Sequence, residues 1–222
     1  MSNRTERSEM VTLERCSALE RALAFSIGKE KSRECVNRLL ERYGSISTVF
    51  SEREEELCRI GGINMNTALL IKLVAYSQAR RITDNFKFGE MHTELELREF
   101  IGALFLGASV ETVYVLLLDE AGRVISAEHI SEGTVNASDI IPRKILACAN
   151  KKRAKTVVLA HNHPKGNKLP SKDDVMTTGR LFNLLSAVGV RLAAHYIVAD
   201  GDVGRIETDM LYDPDSIGRA YR

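Results

Sequence analysis

The sequence predicts an α/β (α+β) domain preceded by a small all-helical one, and three observations carry that reading. Apolar residues in the first part of the chain recur at three- and four-residue steps. From Thr112 onward, short β-branched runs bounded by turn residues replace that period. Helical patterns then alternate with those runs, as in a mixed sheet flanked by helices. At 222 residues and 44% hydrophobic content, the chain can build two such cores.

Residues 1–10 are polar and charged, lack the apolar stretch of a secretory signal, and are expected to form a flexible N-terminus. The helical domain spans 11–83. Leu13, Cys16, Leu19, Leu23 and Ile27 mark one apolar stripe; Cys35, Val36, Leu39, Leu40 and Tyr43 a second; Ala68, Leu69, Ile71, Leu73, Val74 and Tyr76 a third. Gly44 reads as a helix stop, and Ser51 ahead of Glu54 and Glu55 as a cap. Residues 84–92, polar and carrying Gly89, are expected to be a linker.

The second domain spans 93–212. An amphipathic helix from Thr93 to Leu106 is expected to pack Leu95, Phe100, Ile101 and Leu104. Thr112–Asp119 and Arg123–Ile130 are strands around Glu120-Ala121-Gly122. Ile141–Lys152 is a helix with Pro142 at its start. Thr156–Ala160 is a short buried strand, and Lys172–Val188 a helix stopped by Gly189. Val190–Ala199 and Val203–Glu207 flank the hairpin signal Asp200-Gly201. Residues 213–222 read as a mobile tail.

Lys plus Arg number 31 and Asp plus Glu 30, for a net charge of +1. That balance gives no whole-protein electrostatic case for nucleic acid or an anionic membrane. The longest apolar runs, such as Val113 to Leu118, are too short to span a bilayer. The four cysteines form no CxxC pair, which argues against a zinc ribbon or a disulfide framework and for reduced thiols in a cytoplasmic protein.

The chemistry concentrates in His161-Asn162-His163-Pro164-Lys165-Gly166-Asn167-Lys168-Leu169-Pro170-Ser171-Lys172-Asp173-Asp174. His161 and His163 sit two apart where the chain leaves a strand, so they project to one side. Pro164 keeps His163 extended. Gly166 and Pro170 shape the return, Ser171 caps the next helix, and Asp174 falls at its N3 position. A lone His-x-His pair, or Ser-x-x-Asp, is weak evidence. Together, joined by a turn fixed by two prolines and a glycine, they bring two imidazoles and a carboxylate to one point. Three protein ligands with an open fourth position describe a catalytic zinc site.

This string matches the JAMM (MPN+) metalloprotease pattern H-x-H-P-x-G-x(3)-P-S-x-x-D, and its surroundings resemble the bacterial RadC family. Gly133-Thr134, Pro142-Arg143-Lys144-Ile145 and His195-Tyr196-Ile197-Val198 extend the likeness over about Glu111 to Ile206. The resemblance implies an MPN/JAMM mixed sheet of the cytidine deaminase-like kind and hydrolysis of an amide bond in a peptide or protein. It implies Zn2+ held by His161, His163 and Asp174, with a water as fourth ligand whose pKa falls toward ~7. Ser171 would donate to the oxyanion. The general base corresponds best to Glu111, which opens the run Thr112 to Asp119, with Glu128 and Glu132 as competitors. His195 reads first as a structural histidine and second as a partner of a zinc ligand; where relatives carry Asp before it, this chain has Ala194.

Two features point toward nucleic acid instead. Leu57 to Asn64, followed by Ala68, resembles a helix-hairpin-helix in which Gly61 and Asn64 replace a proline and a glycine; Asn64 could keep the turn through a positive φ. Such hairpins can present N–H groups to a DNA phosphate. Lys151, Lys152, Arg153, Lys155, Lys165, Lys168 and Lys172 are expected to gather around the site. The alternative function is therefore a repair-associated nucleic-acid-binding module with a vestigial or regulatory metal site, and a third is a metal-stabilised scaffold. Net charge through Lys87, +3 from 15 basic and 12 acidic residues, is too small for a DNA footprint.

Overall fold

The structure is a computed structural model that describes residues 16–133, 137–164 and 166–206. The predicted flexible N-terminus and C-terminal tail, and Leu13, Thr134, Lys165 and Glu207, lie outside the described residues. Two compact units emerge: one of residues up to Thr83 with Leu106–Ser109, the other of Asp84–Phe105 with the chain from Val110 onward.

The first unit is helical. Its elements are α1 (described over 16–27), α2 (Lys29–Tyr43), α3 (Ile46–Ser51), α4 (Glu54–Gly61) and α5 (Met65–Asn85). Leu19, Leu23, Cys35, Val36, Leu39, Ile46, Val49, Phe50, Leu57, Ala68, Ile71 and Ala75 form its core. Withdrawing each large aliphatic side chain from water contributes about 1.5–3 kcal/mol. Gly44 stops α2 at φ 80, its N–H donating to Leu40 O. Ser51 does not cap α4: it ends α3, its hydroxyl bonds Ser47 O, and Arg53 takes the cap position without a side-chain bond. Leu69, Leu73 and Tyr76, part of the apolar stripe read from the sequence, are exposed, because Ala68, Ile71 and Ala75 define the inner face of α5.

The α4–α5 turn keeps its shape by a different device from the one expected. Gly62 is left-handed, and the N–H groups of Gly62 and Ile63 both donate to Cys58 O. Positive φ among described non-glycine residues occurs at Arg153 and Asp200, not at Asn64. Asn64 instead accepts from the N–H and hydroxyl of Thr67, at 2.9 and 3.0 Å, and so caps α5. No single described helix is long and apolar enough to cross a membrane.

The second unit is the expected α/β fold: a five-stranded mixed sheet flanked by α6 (Glu94–Leu104), α7 (Ala137–Lys152) and α8 (Lys172–Ser186). The strands are β1 (Thr112–Leu118), β2 (Val124–Glu132), β3 (Thr156–Asn162), β4 (Arg191–Ala199) and β5 (Asp202–Ile206), in spatial order β2-β1-β3-β4-β5. Only β3 and β4 are parallel, and α8 makes the crossover that parallel pairing requires. Asp200 and Gly201, at φ 52 and 75, form the hairpin turn between β4 and β5.

Val113, Val115, Leu117, Val157, Leu159 and Leu192 line one face of the sheet and pack with Ile145, Ala149, Leu181 and Leu185 of α7 and α8. Several boundaries move. Helix α7 starts before Pro142, which lies inside it. Strand β3 runs two residues further than expected, so His161 belongs to the strand. Thr93 caps α6 in a capping box with Glu96, and Phe100 and Ile101 are buried, but Leu95 points to solvent. The segment expected as linker is tied down: Gly89 N–H bonds Val124 O, Val124 N–H bonds Glu90 O, and Phe86 stacks on His92 and Phe100.

Candidate metal centre

Alternation along β3 puts Val157, Leu159 and His161 on the face that packs against α8. The first two fill the core. The third reaches its end, where α8 begins. His163 follows two residues on, and its N–H still pairs with Val198 O at 2.8 Å. The chain then folds back tightly: a Cβ at Gly166 would lie 3.1 Å from that of His163, and one at Gly204 would lie 3.0 Å from Lys168 O. Lys168 pairs with Asp202, which pins the loop to β5. Ser171 caps α8, accepting from Asp174 N–H at 3.1 Å, while its own N–H and hydroxyl each donate to Asp174 Oδ2 at 2.7 Å.

These elements bring His161, His163 and Asp174 together, one donor atom of each lying within 4.8 Å of the others. The two Nε2 atoms are 2.8 Å apart. Asp174 Oδ1 is 3.1 Å from His161 Nε2, and Oδ2 is 3.4 Å from His163 Nε2.

Hydrogen bonding fixes which nitrogens carry protons. The carbonyl of Asp174 can only accept, so the Thr178 hydroxyl donates to it. The hydroxyl oxygen then accepts from His195 Nδ1, 2.6 Å away. Burial, reinforced by the neighbouring His161, holds His195 far below the usual imidazole range, so the ring is neutral and its Nε2 is an acceptor. His161 Nδ1–H donates to it at 2.7 Å, which leaves a lone pair on His161 Nε2. His163 Nδ1–H likewise donates to the Asn167 carbonyl at 2.8 Å, which leaves its Nε2 bare. Two lone pairs and a carboxylate therefore face one another, an arrangement that repels itself unless a cation or a proton stands among them.

Burial works to raise the Asp174 carboxyl, but the hydrogen bond and charge of His161, with both donors of Ser171, hold it far below the usual carboxylate range. The donor set fits zinc in kind, and its atoms are close enough together to share one ion after a small outward shift. Ligand atoms about 2.0–2.2 Å from a tetrahedral zinc are about 3.3–3.6 Å apart, against the 2.8, 3.1 and 3.4 Å found here.

His195 is thus a hydrogen-bond partner of a candidate ligand, not the independent structural histidine first expected. A register shift makes this so. Val157 pairs with Leu192 but Val158 pairs with Ala194, and the extra residue, Ala193, turns His195 onto the face of Leu159 and His161. Neither this shift nor the role of Thr178 was visible in the sequence, because neither changes a motif. Thr178→Val, which removes the hydroxyl and little volume, is expected to keep the fold and weaken zinc binding about 10- to 100-fold, as read by competition with a chromophoric chelator.

Glu111 lies immediately before β1, exposed, and its carboxylate is not part of the three-residue cluster. Glu111 stands two residues before Val113, the partner of His161, and so at the end of the sheet where His161 and His163 emerge. Its competitors are placed less well. Glu132 pairs with Thr112, on the opposite face, and acts on Tyr114. Glu128 lies opposite Val115 and pairs with Lys152 at 3.6 Å.

Among the described residues, the expected basic cluster does not gather around the site. Lys151, Lys152, Arg153 and Lys155 precede β3, whereas the histidines stand at its far end; seven strand residues separate them by about 20 Å.

Residues 91–207 match the family model described as the RadC-like JAB domain. Similar proteins include the UPF0758 protein VP0184 of Vibrio parahaemolyticus serotype O3:K6, 31% identical over 170 residues, or 76% of each chain. The UPF0758 protein VV0285 of Vibrio vulnificus (strain YJ016) is 32% identical over 175 residues, covering 77% of this chain and 76% of its own length. The UPF0758 protein VCM66_0205 of Vibrio cholerae serotype O1 (strain M66-2) is 32% identical over 166 residues, 74% of each. None of these names states an activity.

Proposed function

The chain belongs to the RadC family, with a JAB-type domain, and from that premise we propose that it is a zinc-dependent metallopeptidase or isopeptidase acting on a peptide or protein. One observation carries the proposal: two imidazoles, each with its Nδ1 proton committed elsewhere, turn bare Nε2 atoms toward one carboxylate. His161, His163 and Asp174 would hold the ion. Zinc, when bound, supplies a Lewis acid and acidifies water toward a pKa of ~7.

The remaining work falls to this chain's own residues. Glu111 takes the proton of the attacking water and delivers it to the leaving amine. Ser171 turns its hydroxyl from Asp174 Oδ2 to the oxyanion as the carbonyl becomes tetrahedral, while its backbone N–H keeps hold of Asp174. Thr178 and His195 keep the His161 ring in one tautomer. A nucleic-acid-binding role draws less support. The Gly62 and Ile63 N–H groups of the α4–α5 turn are spent on Cys58 O, and the described basic residues of the expected cluster lie at opposite ends of a strand.

The test is digestion of a peptide library read by mass spectrometry. Cleavage is expected from zinc-loaded protein, to stop on chelation, and to return when zinc is restored. Intact peptides throughout, with salt-dependent DNA binding that survives chelation, would replace this reading with the nucleic-acid one.

A further inference from the structure

Asn162 stands between the two histidines but points away from them. Residues 158, 160 and 162 lie on the face of β3 opposite His161, so Asn162 offers nothing to a metal there. Its side chain is nonetheless 4% exposed, and both of its polar ends are used. The oxygen accepts from Thr112 N–H at 2.7 Å, and the amide nitrogen donates to Val110 O at 3.1 Å. These two groups flank Glu111.

The placement has a topological reason. The backbone register of β1 with β3 ends at Val113 and His161, while β3 continues with β4 through Asn162 and Val198. The opening left between β1 and β3 is bridged by a side-chain amide in place of the next ladder bond. Thr112 adds its hydroxyl to Val110 O at 3.2 Å, and Gly133 N–H bonds the Glu111 carbonyl at 2.7 Å. The Glu111 backbone is held on both sides and at its own carbonyl, although its side chain is in solvent.

We infer that Asn162 is a positioning residue for Glu111: its buried amide clamps Val110–Thr112 so that the carboxylate stays at the end of the sheet where His161 and His163 emerge. This rests on the hydrolase reading above for what Glu111 does, but not for the existence of the clamp. It assigns a task to the one residue of the His-x-His segment that neither ligation nor the turn accounts for.

The test pairs Asn162→Ala with Glu111→Gln in the full chain. In Asn162→Ala, zinc per chain is expected to stay as in wild type, and amide exchange at Thr112 to speed up about tenfold or more. With a cleaved library peptide, kcat is expected to fall about 10- to 100-fold with KM within about twofold, because a base moved by about 1 Å loses that much. In the Glu111→Gln background the same substitution is expected to add less than about twofold, since both changes act through one carboxylate. Unchanged Thr112 exchange, or an Asn162→Ala loss that adds in full to that of Glu111→Gln, would overturn the inference. A zinc-loaded wild type that cleaves nothing would instead count against the hydrolase reading, and Thr112 exchange would still decide the clamp.

Discussion

Glu111→Gln is expected to leave zinc at the wild-type level and to lower kcat by about 10²- to 10⁴-fold, the range a positioned general base contributes. The substitution keeps the shape of the side chain and removes only its capacity to take a proton. Glu111 is no member of the three-residue cluster, so metal content has no reason to change. Its carboxylate is exposed, so stability has little reason to change either. Zinc analysis and steady-state kinetics on the same samples check both halves. A variant that keeps most of its turnover would hand the base role to another group, and Glu132 and Glu128 face the wrong side or are paired.

Asp174→Asn is expected to act on the metal first. An amide is a weaker ligand than a carboxylate, and its NH2 would be pushed toward a bare imidazole nitrogen 3.1 or 3.4 Å away. If three protein ligands share binding on the order of 10 kcal/mol, losing one costs about 3–4 kcal/mol. That is about two to three orders of magnitude in zinc Kd. The helix should survive, because the amide oxygen can still accept from Ser171 N–H. Competition titration reads the affinity and circular dichroism the fold. Acid should mimic the variant: wild-type zinc affinity is expected to fall as pH drops, because the imidazoles and the carboxylate bind protons in competition with the ion.

Much of the geometry of this site is legible in the sequence, for physical reasons that differ by residue. His161, His163, Ser171 and Asp174 lie within one strand–turn–helix segment, and strand alternation with helix capping fixes their directions locally. The sheet was legible because β-branched runs and the Asp200-Gly201 turn are local signals too. What stayed hidden depends on contacts between segments distant in the chain. The Ala193 bulge turns His195 toward His161 through pairing with β3, which no pattern within β4 announces. Thr178 looks like any helical threonine until His195 is beside it. Asn162 looks like a spacer until Val110 and Thr112 are placed. The expected lysine cluster does not form because the full length of β3 separates residues that are near in sequence. In the helical unit, Leu69, Leu73 and Tyr76 share the period of the core residues but not their side of α5.

The most direct measurement is zinc per chain by elemental analysis, after loading and exhaustive dialysis, for wild type and for His161→Ala with His163→Ala. Convergence of His161, His163 and Asp174 on one ion predicts one zinc per chain in the wild type and none in the double variant. A wild type that retains no metal, or a double variant that retains as much, would contradict it.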